Sequence, residues 1–146
     1  MTDCQIEDAR DGDRAAILKL LNRVHLPTDG LGDDLPPAAV VARRDGGVIG
    51  SAVLEIYEGG ALLRSVAVDP AAQGRGLGAR LTAAALARAR ELRVPAVFLL
   101  TTTAEGFFPR FGFAAITRDD VPAGVRESVE FRSACPASAI VMKKTL

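Results

Sequence analysis

A glycine-rich segment in the middle of the chain has the composition of a phosphate-binding turn. It reads Gln73-Gly74-Arg75-Gly76-Leu77-Gly78-Ala79 and follows Val66-Ala67-Val68 and Asp69-Pro70. Glycines let a backbone turn tightly and bring several N–H groups close to one anion. Because helical spacing of apolar residues begins at Leu77, the unpaired N–H groups of that helix and the positive end of its dipole would face the same turn. The segment therefore predicts a phosphate or diphosphate site, with Arg75 adding charge at the rim.

Two known nucleotide-binding patterns fit this segment poorly. Gly74, Gly76 and Ala79 match the G-x-G-x-x-G/A fingerprint of dinucleotide-binding domains, but that fold has an acidic residue about 20 positions later. This chain has Leu99-Leu100-Thr101-Thr102 there, and too few residues follow for the rest of a doubly wound sheet. The Gly-Lys-Ser/Thr of a P-loop is missing. The remaining alternative is a structural one, in which the glycines only start a packed helix.

A second candidate for chemistry is the pair Glu55 and Arg64 on neighbouring predicted strands. If Glu58-Gly59-Gly60 forms a tight turn, Glu55 lies about opposite Arg64 across the hairpin. An Arg inside an apolar run should be partly buried and so needs a partner. The functional interpretation is a general base, Glu55, beside an Arg64 that orients it or grips a substrate carboxylate. The alternative is a cross-strand ion pair with no further role.

Hydrophobic spacing predicts one α/β domain around these residues. A short strand over 3–7 and a helix over 13–24 precede a Pro- and Gly-rich loop, 27–37, which is either a substrate-side lid or a linker. The other predicted elements are an antiparallel meander of strands at 39–43, 48–57 and 61–68, a helix at 77–92, a buried strand at 96–100, a short helix capped by Thr103 and ending near 111, and strands at 113–116 and 139–142. A strand, a helix and a buried strand in succession predict one parallel pair.

Composition limits the class of protein. The 146 residues are 49% hydrophobic and 25% charged, which suits a single domain spanning 1–146. Eighteen Lys and Arg balance eighteen Asp and Glu, which argues against binding to a nucleic-acid backbone. Two cysteines and one histidine are too few for a disulfide scaffold or a zinc site, and no apolar run suits a membrane helix or a secretion signal. We expect a cytoplasmic protein with no metal, nucleic-acid or membrane partner.

These motifs together resemble the GNAT superfamily of N-acetyltransferases. Residues 73–78 are similar to its Q/R-x-x-G-x-G/A signature after the expected strand 66–68, and 107–113 are similar to its later aromatic-x-x-x-G-F segment. The resemblance covers nearly the whole chain. It implies an α/β (α+β) fold with a mixed central sheet of about six to seven strands flanked by helices, antiparallel in its first half, with a parallel pair around the signature helix. Segments 63–68, 99–105, 130–131 and 135–139 more narrowly resemble the GNAT proteins found with arsenic-resistance genes.

The resemblance implies acetyl-CoA as cosubstrate and transfer of its acetyl group to the amine of a small molecule. The backbone of Val66, Ala67 and Val68 should then bond the pantetheine arm. The diphosphate should be held by Gln73, Gly74, Arg75, Gly76, Leu77, Gly78 and Ala79. Thr101 occupies the position of an Asn that touches the pantetheine arm in many members. Many members protonate the leaving thiolate with a Tyr, whose position is Phe108 here, so that role is not transferred, and water or Thr103 is the substitute.

Glu55 is then the candidate base, and Arg64, Thr103 and Glu130 are the candidate substrate residues. The acceptor is expected to be a small amine, with an amino-acid-like or organoarsenical toxin as the narrower hypothesis. Two alternatives stay open: a non-catalytic acyl-CoA-binding sensor, and a protein N-acetyltransferase with an open cleft. The resemblance is compatible with a homodimer and implies no metal.

Overall fold

A seven-stranded mixed sheet forms the centre of the fold. The computed structural model describes residues 4–26, 28, 31, 38–102, 104–128 and 139–146. The strands are β1 (Gln5–Asp8), β2 (Val40–Arg44), β3 (Gly47–Tyr57), β4 (Gly60–Val68), β5 (Ala96–Thr101), β6 (Ala114–Ile116) and β7 (Ile140–Thr145). They lie in the order β1-β2-β3-β4-β5-β7-β6. Only β4 and β5 are parallel, so the predicted fold class, with its meander and one parallel pair, is confirmed.

The helices cover both faces of the sheet. They are α1 (Arg14–Arg23), α2 (Leu77–Glu91) and the one-turn α3 (Ala123–Arg126). In the part of the chain that the structure describes, four 3₁₀ turns lie at Asp11–Asp13, Pro70–Ala72, Phe108–Phe111 and Arg118–Asp120. The long helix α2 buries residues at helical spacing against β2, β3 and β4. It approaches closely at Gly50, where an added Cβ would lie 2.7 Å from Leu81 Cδ1.

Strand periodicity assigns each side chain to one of two faces. Leu54 and Leu63 pack with α2 on one face, and Val53 packs with α1 residues such as Ile17 on the other. Because successive side chains of a strand alternate, Glu55 lies on the α1 face with Val53. Arg64 is paired opposite Val53 and so lies on that face as well.

Two predicted elements differ from the structure. The predicted helix ending near 111 is only the 3₁₀ turn Phe108–Phe111, since Gly106 and Pro109 disfavour a longer helix. The last strand is longer than predicted because the backbone of Lys143 and Lys144 pairs with β5, and that of Lys143 also with β6. The cap Thr103 and nearly all of the 27–37 loop lie outside the described residues.

A partly buried ion pair holds the start of α1 against β2. The Arg43 guanidinium donates to both carboxylate oxygens of Asp13, at 2.7 and 3.1 Å, and to Glu7 Oε1 at 2.6 Å. The Arg10 N–H donates to Asp13 Oδ2 at 2.8 Å. The hydrogen bonds from Arg43 lower the pKa of Asp13 below its ordinary value, although burial acts in the opposite direction.

Asp13→Asn should lower the free energy of unfolding at pH 7 by about 2 kcal/mol, the usual contribution of a charged hydrogen bond. A carboxyl group whose pKa is lowered by folding stabilises the fold above its unfolded pKa, about 3.9, and loses this contribution as the pH falls through the folded pKa. In urea unfolding, the difference in free energy of unfolding between parent and variant should therefore be largest at pH 7 and should narrow toward pH 3. Asp11→Asn, at the exposed acid of the same turn, is the control. A difference that is independent of pH would contradict the assignment.

Candidate active site

An opening lies between the second halves of β4 and β5, which are not hydrogen-bonded to each other. The two strands pair only at Ala61 with Val97 and at Leu62 with Phe98. Within their described residues no later pair forms, although β4 continues to Val68 and β5 to Thr101. The edge of β4 that faces β5 therefore offers backbone hydrogen-bonding groups over Val66–Val68 that the sheet does not use. This is the stretch predicted to bond the pantetheine arm.

A β-bulge shapes β4 just before this stretch. Ser51 pairs with Ala67 and Val53 pairs with Arg64, so β4 contains one more residue than β3 between these pairs. Ser65 takes up the difference with a φ of 56°, in the left-handed region that non-glycine residues rarely adopt. As a result Arg64 and Ala67, three positions apart, both lie on the α1 face.

Side chains set the shape of the turn between β4 and α2. The Asp69 carboxylate accepts the N–H of Ala71 at 3.0 Å and a hydrogen bond from Arg23 at the end of α1. The Gln73 side-chain amide donates to the Val68 carbonyl at 3.0 Å. These bonds bring the end of α1 and the glycine segment to the same end of β4.

The glycine segment has the geometry of an open anion cradle. Gly74 and Gly76 have φ values of 83° and 78°, and an added Cβ at either would meet no atom within 4 Å. The N–H of Arg80 bonds the carbonyl of Gly76 at 3.1 Å, so the preceding N–H groups of Leu77, Gly78 and Ala79 have no acceptor within the helix. Backbone donors without an acceptor in the helix, at the positive end of a 15-residue helix, fit the diphosphate of coenzyme A.

On the side of the opening across from β4 lie Thr101 and a cluster of phenylalanines. The Thr101 hydroxyl accepts the N–H of Ala104 at 2.9 Å. Phe107 packs beside the start of α2, 3.6 Å from where a Cβ of Gly78 would lie. Phe108 is only 7% exposed and packs edge-to-face on Phe113 within the core. The Phe108 side chain has no exchangeable proton, so it cannot act as an acid.

Arg64 and Glu55 meet on the α1 face, close to the point where β4 and β5 separate. Arg64 Nη1 lies 3.7 Å from Glu55 Oε2, and their side chains are 0% and 11% exposed. Glu55 Oε1 also accepts a hydrogen bond of 2.7 Å from the Tyr57 hydroxyl. Arg64, Glu55 and Tyr57 are therefore linked by an ion pair and a hydrogen bond into one group beside the opening.

The predicted cross-strand register of this pair was wrong. The turn contains only Glu58 and Gly59, because Tyr57 pairs directly with Gly60. Glu55 consequently lies opposite Leu62, and Arg64 lies diagonally, two positions further along. The two side chains still meet, since diagonal neighbours on one face are within reach of long side chains.

The structure places the candidate cofactor residues at 66–68 and 73–79 at one end of β4, joined by the hydrogen bond from Gln73 to the Val68 carbonyl. Thr101 lies at the end of β5, and the pair of Arg64 and Glu55 lies beside the opening. Thr103 and Glu130 lie outside the described residues. Sequence reasoning assigned no role to Tyr57 or Ser65. Spacing by two on a strand could have linked Tyr57 to Glu55, whereas the positive φ of Ser65 has no signal in the sequence.

A cavity of about 430 Å³ lies at the other end of α2, lined by Ile56, Arg88 and Leu92 and also by Glu55 and Tyr57. Because α2 rises 1.5 Å per residue, this cavity is about 20 Å from the glycine segment. We therefore do not assign it to coenzyme A.

Within the described residues, no group of three or more His, Cys, Asp or Glu side chains is arranged to hold a metal ion. No helix in that part of the chain is both long and apolar enough to cross a membrane.

Comparisons with known proteins agree with this geometry. A family model described as the acetyltransferase (GNAT) domain matches residues 37–115. An amino-acid acetyltransferase from Ralstonia nicotianae is 36% identical over 106 residues, 71% of this chain and 23% of that protein. The chain thus spans about a quarter of the length of this curated relative.

Solved structures share the fold. Rv2747 from Mycobacterium tuberculosis, in complex with CoA and NLQ, superposes with a TM-score of 0.79 at 27% identity, covering 97% of this chain and 99% of that one. N-acetylglutamate synthase from Neisseria gonorrhoeae, complexed with coenzyme A and N-acetyl-glutamate, has a TM-score of 0.82 at 24% identity, covering 98% and 35%. The family model alone matches more than half of the 146 residues, so the chain belongs to the GNAT acetyltransferase family.

Proposed function

We propose that the chain transfers the acetyl group of acetyl-CoA to the amine of a small molecule that also carries a carboxylate, such as an amino acid. The observation that carries the proposal is the buried pair of Arg64 and Glu55, placed where β4 and β5 separate. A guanidinium binds a carboxylate through two parallel hydrogen bonds. An acceptor carboxylate would meet Arg64 in exchange for one of its present partners. The amino-acid acetyltransferase named among the relatives supports this acceptor class.

The residues of the opening supply binding and orientation. The backbone of Val66–Val68 would bond the pantetheine arm, and the N–H groups at the start of α2 would hold the diphosphate. Acetyl-CoA, when bound, supplies a thioester carbon open to attack and a thiol as leaving group. The N–H of Val66 or Ala67 is the candidate donor to the acetyl oxygen as negative charge develops on it.

Glu55 is the proposed base. An alkylamine with a pKa of about 10 is almost wholly protonated at pH 7, so a group must take a proton before or during attack. The Tyr57 hydroxyl and Arg64 hold the Glu55 carboxylate in one orientation, which favours transfer to a single position. The leaving thiol resembles that of Cys, whose pKa is about 8.5, so departure does not require a strong acid at the position of Phe108. Water can supply the proton.

The narrower acceptor hypothesis is an organoarsenical amino acid. It is supported by the sequence resemblance at 63–68, a stretch that contains Arg64 and the bulge. Such a compound carries the same amine and carboxylate as an ordinary amino acid, so the pair of Arg64 and Glu55 suits both. A direct comparison of the two as acceptors decides between them.

Release of free thiol from acetyl-CoA across a panel of acceptors tests the proposal. The panel contains amino acids, their carboxamides, an organoarsenical amino acid, simple amines and lysine peptides. We expect turnover with carboxylate-bearing amines and little with their carboxamides. Acetyl-CoA binding without thiol release on any member would favour a non-catalytic sensor, and turnover on peptides alone would favour a protein acetyltransferase.

Glu55→Gln should lower turnover about 100-fold at pH 7, the usual contribution of a general base. The loss should shrink as the pH approaches the pKa of the amine, because the acceptor then loses its proton without help. Glu58→Gln, at the exposed acid of the next turn, is the matched control and should leave the pH–rate profile unchanged. A variant with a higher acceptor KM at every pH and an unaltered profile would assign Glu55 to orienting Arg64 instead.

A further inference from the structure

The bulge in β4 depends on a serine of the neighbouring strand. At the bulge the Ser65 carbonyl leaves the regular ladder of β3 and β4 while remaining buried. The hydroxyl of Ser51, which is itself 0% exposed, donates to this carbonyl at 2.7 Å. Ser51 lies on the α1 face with Val53, where water does not compete for the bond. It therefore satisfies the acceptor that the bulge removes from the sheet.

The same bulge residue holds the site's cation. The Ser65 hydroxyl accepts a hydrogen bond of 3.2 Å from Arg64 Nε. A regular ladder would move Ser65 out of the left-handed region and shift either Arg64 or Val66–Val68 to the opposite face, since a one-residue slip exchanges the faces of a strand. The bulge thus sets both the backbone edge of the opening and the direction of Arg64.

We propose that Ser51 is a positioning residue of the acetyl-transfer site, acting through the Ser65 carbonyl. It contacts neither substrate. Its hydroxyl keeps Ser65 at positive φ, which directs Val66–Val68 toward the cosubstrate and Arg64 toward the acceptor. The catalytic part of this role rests on the proposed function, whereas the effect on acetyl-CoA binding does not.

Two substitutions of Ser51 separate the effect of losing the hydroxyl from the effect of changing the packing. Ser51→Ala removes the donor, and Ser51→Cys keeps nearly the same volume with only a weak donor. Both should weaken acetyl-CoA binding, measured by titration calorimetry, about tenfold, as expected for one lost buried hydrogen bond. Where the parent turns over an acceptor, kcat/KM should fall by at least as much.

A glycine at the bulge supplies the decisive comparison. Ser65→Gly adopts a positive φ without strain, so the bulge should then depend less on Ser51. Adding Ser51→Ala in that background should weaken acetyl-CoA binding less than about threefold. Ser128→Ala is the matched control and should leave acetyl-CoA binding unchanged, because Ser128 is also a buried serine but follows α3, outside the segments assigned to coenzyme A.

The outcomes are distinct. Ser51 variants that unfold at lower temperature but keep the parent's acetyl-CoA affinity and kcat/KM would overturn the proposal. It would also be overturned if Ser51→Ala lowered acetyl-CoA affinity as much in the Ser65→Gly background as in the parent. A parent that binds acetyl-CoA but acetylates no amine would refute the proposed function alone, and the affinities would still decide the role of Ser51. A parent that does not bind acetyl-CoA would refute both.

Discussion

Gly76→Trp is expected to abolish acetyl-CoA binding, with an affinity at least about 100-fold below that of the parent, since the tryptophan would exclude the diphosphate from the N–H groups that should hold it. Gly76 caps α2 with a φ of 78°, and the space around it is open. An indole side chain there would project over the first turn of the helix. Titration calorimetry with acetyl-CoA measures the effect directly.

The chain contains a closely matched control for this substitution. Gly46, in the turn between β2 and β3, has a φ of 80° and likewise no atom within 4 Å of an added Cβ. Gly46→Trp therefore imposes the same backbone strain, about 1–2 kcal/mol for a residue in the left-handed region, without touching the proposed site. If both variants lose similar stability but only Gly76→Trp loses acetyl-CoA binding, the diphosphate binds at Gly76. If the two variants bind acetyl-CoA equally well, the diphosphate binds elsewhere.

Arg64→Met is the second substitution with a large expected effect. Losing a buried, hydrogen-bonded cation typically costs about 2–5 kcal/mol in recognition of its anionic partner, which corresponds to a fall of about 30-fold or more in kcat/KM for a carboxylate-bearing acceptor. Acetyl-CoA affinity should change far less, because the Arg64 side chain lies on the α1 face and the diphosphate site is at the start of α2. Steady-state kinetics with both substrates and calorimetry with acetyl-CoA measure the two effects.

Stability has to be separated from recognition in this experiment. Arg64→Met leaves the Glu55 carboxylate buried without its cation, a change that commonly costs about 3–5 kcal/mol. The double variant Arg64→Met with Glu55→Gln removes both charges and should recover much of that stability, but not the activity. The ratio of kcat/KM for an amino acid to that for its carboxamide is the specific readout. If that ratio were the same in parent and variant, Arg64 would not bind the acceptor carboxylate.

Arg64→Lys refines the same test. Lysine retains the charge but cannot form the forked pair of hydrogen bonds to a carboxylate. It should therefore keep most of the stability of the Glu55 pair and lose much of the preference for carboxylate-bearing acceptors. Activity equal to that of the parent would indicate that only the charge at this position matters.

The positions of the helices and most strands could be predicted because their signals are local. Helix α2 begins at Leu77 as expected, inside the glycine segment, where apolar residues start to recur at helical spacing. The continuous apolar run at 96–100 correctly predicted a strand buried on both faces. The strand β5 lies between β4 and β7, and its alternate side chains belong to two different core clusters. Parallel pairing of β4 with β5 followed from the helix between them.

The details of the candidate site could be predicted only in part. The meeting of Arg64 with a carboxylate was expected because an arginine in an apolar run needs a partner. The register was not, since it depends on whether the turn after Tyr57 contains two residues or three. The link between Ser51 and Ser65 joins residues 14 positions apart through a bulge that neither residue specifies by type.

The sequence by itself determined the place of the glycine-rich turn and the order of elements, because glycine content and hydrophobic period act over neighbouring residues. Only the tertiary structure decided where β4 and β5 separate and which face carries Arg64. Both depend on one extra residue in β4, and the place of that residue is set by packing and hydrogen bonds between strands rather than by the preference of any single amino acid.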